Sequence, residues 1–251
     1  MIRISNVTKA YKNNLVLDSV SVSIPNSKFV SLIGPNGCGK STLINCICSL
    51  IDYDGHIFID EVPIKSIPKK ELAKKISLLK QNSFHDLKIT SKELISFGRF
   101  PYSNGNLTKE DDKKIEEVIQ FLELDSLQSK YITELSGGER QRVYIGMMLA
   151  QDTEYMILDE PLNNLDMKNS KHIMSLLKKF VEEKKKTVIL VVHDINFASM
   201  YSDEIIAIKD HDIFASGKTK AIINEDVLTS IYDTPIRVTN TDIGILCNFY
   251  K

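Results

Sequence analysis

Gly34-Pro35-Asn36-Gly37-Cys38-Gly39-Lys40-Ser41 sets three glycines, a lysine and a hydroxyl between an apolar run, Phe29 to Ile33, and a segment that reads as a helix. Glycines let backbone N–H groups wrap the β- and γ-phosphates of a nucleotide, and the following helix N-terminus adds a favourable dipole. Lys40 brings a cation to the same phosphates, and the Ser41 hydroxyl is a Mg²⁺ ligand type. A second apolar strand, Met156-Ile157-Leu158, ends in Asp159 and Glu160, and acids in such a place need a reason. Phosphate loop and acidic strand together make a site for hydrolysing a nucleotide. Between them stands Leu135-Ser136-Gly137-Gly138-Glu139. Ser136 and Glu139 read as a capping box that starts a helix running to Ala150.

The elements that carry these groups follow from hydrophobic period. Ile2 and Ile4, then Val20, Val22 and Ile24, alternate as in an antiparallel β layer. The phosphate loop leads into a helix predicted over Lys40 to Ile51, with strands at Gly55 to Asp60 and Lys75 to Leu79, the latter leading to Gln81. Thr90-Ser91-Lys92-Glu93 is a capping box for a helix that stops at Gly98, with Pro101 beyond. Thr108 to Glu123 is a charged helix with Ile115, Val118, Ile119 and Leu122 on one face. Afterwards strand and helix alternate: Tyr155 to Leu158, Met167 to Lys184, Thr187 to Val192, Ile195 to Tyr201, Glu204 to Lys209. That order implies a parallel sheet with helices on its faces. The 251 residues suffice for one α/β domain, 1–251. Within it, 1–82 and 153–251 are expected to form the core and 83–152 an inserted helical subdomain.

Charge and cysteine usage narrow the partners. With 32 basic against 33 acidic residues, no global field attracts nucleic acid or an anionic membrane. The four cysteines (Cys38, Cys46, Cys48, Cys247) have no metal spacing and read as reduced thiols. No signal peptide opens the sequence and no apolar stretch is long enough to span a bilayer, so a membrane role must come through a partner. Cys38, beside Lys40 and a helix N-terminus, is expected to favour the thiolate, so that alkylation blocks hydrolysis and ATP protects.

Phosphate loop, Ser-Gly-Gly element and acidic strand, in this order, resemble the ABC ATPases, and the resemblance covers nearly the whole chain. It implies an α/β fold: a P-loop NTPase (RecA-like) core with an antiparallel β layer and an inserted α-helical subdomain. It implies that Gly34 to Ser41 and Thr42 bind ATP and that Asp159 holds Mg²⁺ through water, together with Ser41 and Gln81. Glu160 is implied as the general base, with Gln81 in the Q-loop and His193 as the switch histidine on the γ-phosphate. Leu135 to Glu139 would close over nucleotide held by a second copy, so that the working unit is a homodimer. A capped helix with free N–H groups suits that task. Asp166 matches the aspartate that links the two sites across the dimer, and it reads equally as an N-cap for the helix at Met167. Tyr11 falls where an aromatic stacks on adenine, though a lone Tyr between Ala10 and Lys12 also reads as surface packing.

Gly98-Arg99-Phe100-Pro101-Tyr102, Val192 to Ala198 and Ile231 to Ile236 resemble the ATPases of ferric-siderophore importers, and Pro161 to Asp166 the petrobactin-type branch. The implied protein is peripheral at the cytoplasmic membrane face. It would drive a separate integral-membrane permease fed by an extracytoplasmic siderophore-binding protein, with no nucleic-acid partner. Alternatives are import of haem or cobalamin, or a soluble ABC ATPase without a permease. Three positions depart from the family pattern: Lys80 before Gln81, Asn163 and Asn164 in place of small residues, and His211 at a turn that favours glycine.

Overall fold

A computed structural model describes residues 1–80, 88–242 and 244–249. Gln81 and the expected subdomain boundary at Ser83 lie outside the described residues. The chain divides into two compact units, 1–67 with 180–251, and 68–179.

The first unit opens with strands β1 (Ile2–Tyr11) and β2 (Asn14–Ile24), antiparallel, with Ile2 opposite Ile24 and Ile4 opposite Val22. After β3 (Phe29–Ile33), helix α1 (Lys40–Ile47) leads to β4 (Asp54–Ile59) and β5 (Val62–Pro63), giving a layer ordered β2-β1-β4-β5. Its buried face is the alternating set Ile2, Ile4, Val20, Val22, Ile24, Ile57 and Ile59. Helix α1 ends four residues before the predicted Ile51. Ser49 turns left-handed (φ 53) and its amide reaches back to the Cys46 carbonyl, leaving Leu50 on the surface.

The second unit holds α2 (Lys69–Lys75), β6 (Ile76–Leu79), α3 (Ser91–Phe97), α4 (Phe100–Ser103), α5 (Lys109–Phe121), α6 (Gly137–Ala150), β7 (Tyr155–Asp159) and most of α7 (Met167–Lys184). Strands β6 and β7 pair in parallel, with Ile76 opposite Tyr155 and Leu79 opposite Leu158. Capping boxes open α3 (Thr90, Glu93), α5 (Thr108, Asp111) and α6 (Ser136, Glu139). Gly98 is not the left-handed stop that a glycine at a helix end suggests, because its φ is −57. A Cβ there would lie 2.1 Å from the Met147 carbonyl oxygen, so glycine permits α3 to pack on α6. Pro101 enters the first turn of the short α4, where its missing N–H costs nothing. Arg99 is buried beside them. Its Nε donates to Asp111 Oδ1 at 2.8 Å and its Nη1 to the Ala150 carbonyl at 2.8 Å, fastening α3, α5 and α6 together.

The chain returns to the first unit with β8 (Thr187–Val191), α8 (Ile195–Tyr201), β9 (Glu204–Lys209), β10 (Asp212–Lys218), α9 (Thr219–Ile222), α10 (Glu225–Tyr232), β11 (Arg237–Thr241) and β12 (Gly244–Asn248). Strand β3 lies between β8 and β9, parallel to both, and β10 closes that side antiparallel to β9. Strands β3 and β8 are buried throughout, as strands covered on both faces must be. No helix among the described residues is long and apolar enough to cross a membrane. The mixed architecture, an antiparallel layer and parallel strands with helices, is the P-loop NTPase fold.

Candidate functional site

The phosphate loop leaves the carboxyl end of β3. Gly34, at φ 143, passes so close to the Ile208 carbonyl oxygen that a Cβ would lie 2.1 Å from it. Gly39 (φ 107) caps α1, and a Cβ there would meet Leu17 and the Val16 carbonyl at 2.8 Å. Only glycine fits either place. Gly37 (φ 77) has open space around it, and with Asn36 it is exposed. No side chain caps the start of α1, an arrangement that suits an anion at a helix N-terminus. Lys40 is only 5% exposed, and its ammonium donates to the Gly34 and Pro35 carbonyls at 2.9 and 2.8 Å. It thereby holds a positive charge at the centre of the loop. Ser41 is exposed at the rim and Thr42 half-buried behind it.

Cys38 corrects the expectation of a thiolate. Its sulfur lies 3.9 Å from the Lys40 ammonium, which favours the charged form. Burial outweighs that cation, and the thiol is raised above its ordinary 9.0. Alkylation of Cys38 near neutral pH is therefore expected to run about tenfold slower than that of an exposed cysteine. Peptide mass spectrometry over a time course checks this; labelling as fast as a free thiol would contradict it.

Tyr11 ends β1 as a residue 46% exposed, with the Lys9 ammonium 5.2 Å from its ring centroid. His193 follows β8 at the surface, and Asp194 caps α8 through the Asn196 amide at 2.8 Å. The Asn196 side chain then grips the last hairpin. It accepts from the Cys247 amide at 2.7 Å and donates to the Cys247 carbonyl at 3.3 Å. Ser199, one turn on, donates to the Ile245 carbonyl at 2.7 Å. The helix that starts beside His193 is thus anchored to β12, and sequence reasoning missed both anchors. His211 takes the turn at φ 74.

In the second unit Asp159 ends β7 and Glu160 follows in the left-handed region at φ 53. A non-glycine residue held there stores strain, a feature of functional turns. Glu160 Oε2 accepts from the Asn163 side-chain amide at 2.6 Å, which gives one of the unusual asparagines a structural task. Asp166 caps α7, accepting from the Asn169 backbone at 2.7 Å and from its side-chain amide at 2.9 Å. Asn169 in turn fills the space over Gly138, where a Cβ would lie 2.4 Å from Asn169 Cγ. The paired glycines therefore do different work. Gly138 is buried and makes room for Asn169, whereas Gly137 is exposed and open. Ser136 donates its amide and hydroxyl to Glu139 Oε2 at 2.9 and 2.7 Å, and these bonds hold the Glu139 carboxyl below its usual value. Leu135 is buried behind them.

The structure thus gathers Gly34, Pro35, Cys38 and Lys40 into one loop, Ser136 with Glu139, Glu160 with Asn163, and Gly138 with Asn169 and Asp166. Asn163 and Asn169 were not singled out as partners by sequence; the three-residue spacing of Asp166 and Asn169 is the signal that could have found the second.

A family model described as ABC transporter matches residues 17–163. The chain is 49% identical over 243 residues to the petrobactin import ATP-binding protein YclP of Bacillus subtilis (strain 168), covering 96% of each chain. It is 44% identical to the petrobactin import ATP-binding protein FatE of Bacillus anthracis, over 97% of this chain and 98% of that one. Among solved structures, the dimeric post-hydrolysis state of the ATP-binding cassette MJ0796, bound to ADP and phosphate, superposes with a TM-score of 0.75. That match is at 35% identity and covers 87% of this chain and 99% of the other.

Proposed function

Since the chain belongs to the ABC transporter ATPase family, we propose that it powers bacterial import of a ferric siderophore of the petrobactin type. The observation that carries the reading is 49% identity to YclP across 96% of both chains. Identity at that level over nearly the whole chain extends well beyond the nucleotide motifs.

In this reading the loop amides, Lys40 and Thr42 hold the phosphates of ATP, and Tyr11 stacks on the base. The oxygen donors suit a hard divalent cation: Ser41 offers an exposed hydroxyl and Asp159 a half-buried carboxylate. Mg²⁺ would neutralise phosphate charge there, and Gln81 is proposed to join its shell. Glu160 acts as base toward the attacking water, its carboxylate oriented by Asn163. His193 contacts the γ-phosphate from the anchored start of α8. Open Gly137 and the capped start of α6 meet nucleotide held by a second copy, with Asp166 linking the two sites. ATP then joins two chains, and hydrolysis lets them part.

Phe97, Phe100 and Leu107, all exposed in the helical part of the second unit, are the kind of surface that a partner covers. The proposed partner is a separate membrane permease, with the chain seated on its cytoplasmic face, 83–152 moving as the helical subdomain and an extracytoplasmic protein delivering cargo. Detergent-solubilised purification of the tagged chain is expected to bring down a polytopic permease. Recovery of the chain alone, under conditions that keep a control transporter assembled, would contradict the reading.

A further inference from the structure

A cavity of about 480 Å³ opens in the first unit at the amino ends of β3 and β9. It lies away from the phosphate loop, which leaves the opposite end of β3, roughly 17 Å along a five-residue strand. Its size falls in the range of small-molecule pockets.

Three lysines from two stretches of chain line it: Lys28 before β3, and Lys218 and Lys220 on either side of Thr219 where β10 passes into α9. Two acids, Asp203 and Glu204, share the wall, and Asp203 Oδ2 already accepts from the Phe29 amide at 2.8 Å. The balance is positive. The lining hydroxyls are engaged within the protein. Ser199 donates to Ile245, Thr219 to the Ser202 carbonyl at 2.7 Å, and Ser202 shares a 2.6 Å bond with Ser31. Recognition therefore falls to the ammonium groups, and Met200 and Ile245 offer apolar surface for a carbon skeleton.

We infer that this cavity binds a small organic polyanion, a di- or tricarboxylate of about citrate size. Lysines set on two separate stretches of the wall suit several separated carboxylates better than one compact ion. The volume also exceeds many times the ~10–15 Å³ of like-measured space that one water needs, so a lone inorganic ion would leave most of it to solvent. A bound ligand would touch Gly244 and Ile245 of β12 and the carboxyl end of α8 together. It would reinforce the same α8–β12 contact that Asn196 makes beside His193. An effect on hydrolysis would rest on the role proposed for His193; the binding does not.

Calorimetric titration of the full chain with citrate, without Mg²⁺ or nucleotide and at low salt, tests the site. Citrate is expected to bind at least tenfold more tightly than inorganic phosphate, and to slow hydrogen exchange in α8 and β12. The double variant Lys218→Gln/Lys220→Gln is expected to weaken citrate at least tenfold, and Lys40→Ala to leave it unchanged. Should the double variant fail to fold, Lys28→Gln alone is expected to weaken citrate severalfold. Absence of binding, equal affinity for phosphate, or loss in Lys40→Ala with retention in the lysine variants would overturn the inference.

Discussion

Glu160→Gln is expected to cut ATP turnover by at least about 100-fold while changing nucleotide affinity by less than about twofold. The substitution keeps size and shape. A glutamine carbonyl oxygen can still accept from the Asn163 amide, as Glu160 Oε2 does at 2.6 Å, and the backbone at φ 53 has no new reason to relax. What disappears is a carboxylate able to take a proton from water. The stalled variant should therefore accumulate as an ATP-bound dimer that size-exclusion chromatography separates from the monomer. Phosphate release measured beside equilibrium ATP binding distinguishes the outcomes. Turnover within a fewfold of the original would remove Glu160 as the base; equal loss of binding and turnover would make it a structural residue.

Arg99→Met is expected to cost about 2–3 kcal/mol of stability, because it removes a charge-assisted hydrogen bond to Asp111 and the donor of a carbonyl at the end of α6. Asp111 keeps the Thr108 amide and hydroxyl, at 2.9 and 2.8 Å, but loses the guanidinium. The Ala150 carbonyl at the end of α6 loses its donor too. For a chain of this length the loss should lower the melting temperature by on the order of 10 °C. Arg99→Lys should recover only part, since an ammonium cannot reproduce the two directed bonds. The pH dependence has a definite sign. The Thr108 backbone bond, with help from Arg99, holds Asp111 below its ordinary 3.8, so the unfolded chain binds that proton more readily. The contribution is complete above about pH 4 and is lost as pH falls through the lower folded value. Denaturant melts of both proteins at neutral pH and near pH 3 check this: the gap between them should narrow in acid.

How much was legible depended on whether the cause was local. The capping boxes at Thr90 and Ser136 need only residues three apart, and both helices begin where sequence put them. Strand β3, α7, α8 and β9 were found to the residue, because burial on both faces or a sustained helical period writes itself into the chain. The β11–β12 hairpin was not anticipated. Its strands are only five residues each, β11 is largely polar, and β12 is secured by Asn196 and Ser199, some fifty residues distant. Cys38 shows the same limit in the site. The cation beside it is visible in the sequence, whereas the burial that overrides it is a property of the folded loop. The separate tasks of Gly137 and Gly138 likewise became visible only once Asn169 was placed against the second.

Whether this ATPase drives siderophore uptake is decided by transport of radiolabelled iron presented as a panel of ferric siderophores. Cells carrying only Glu160→Gln, with other iron importers deleted, are compared with cells carrying the unmodified chain. Loss of uptake confined to ferric petrobactin, with the other chelates unaffected, is the predicted result. Equal uptake of every chelate in the two strains would contradict it.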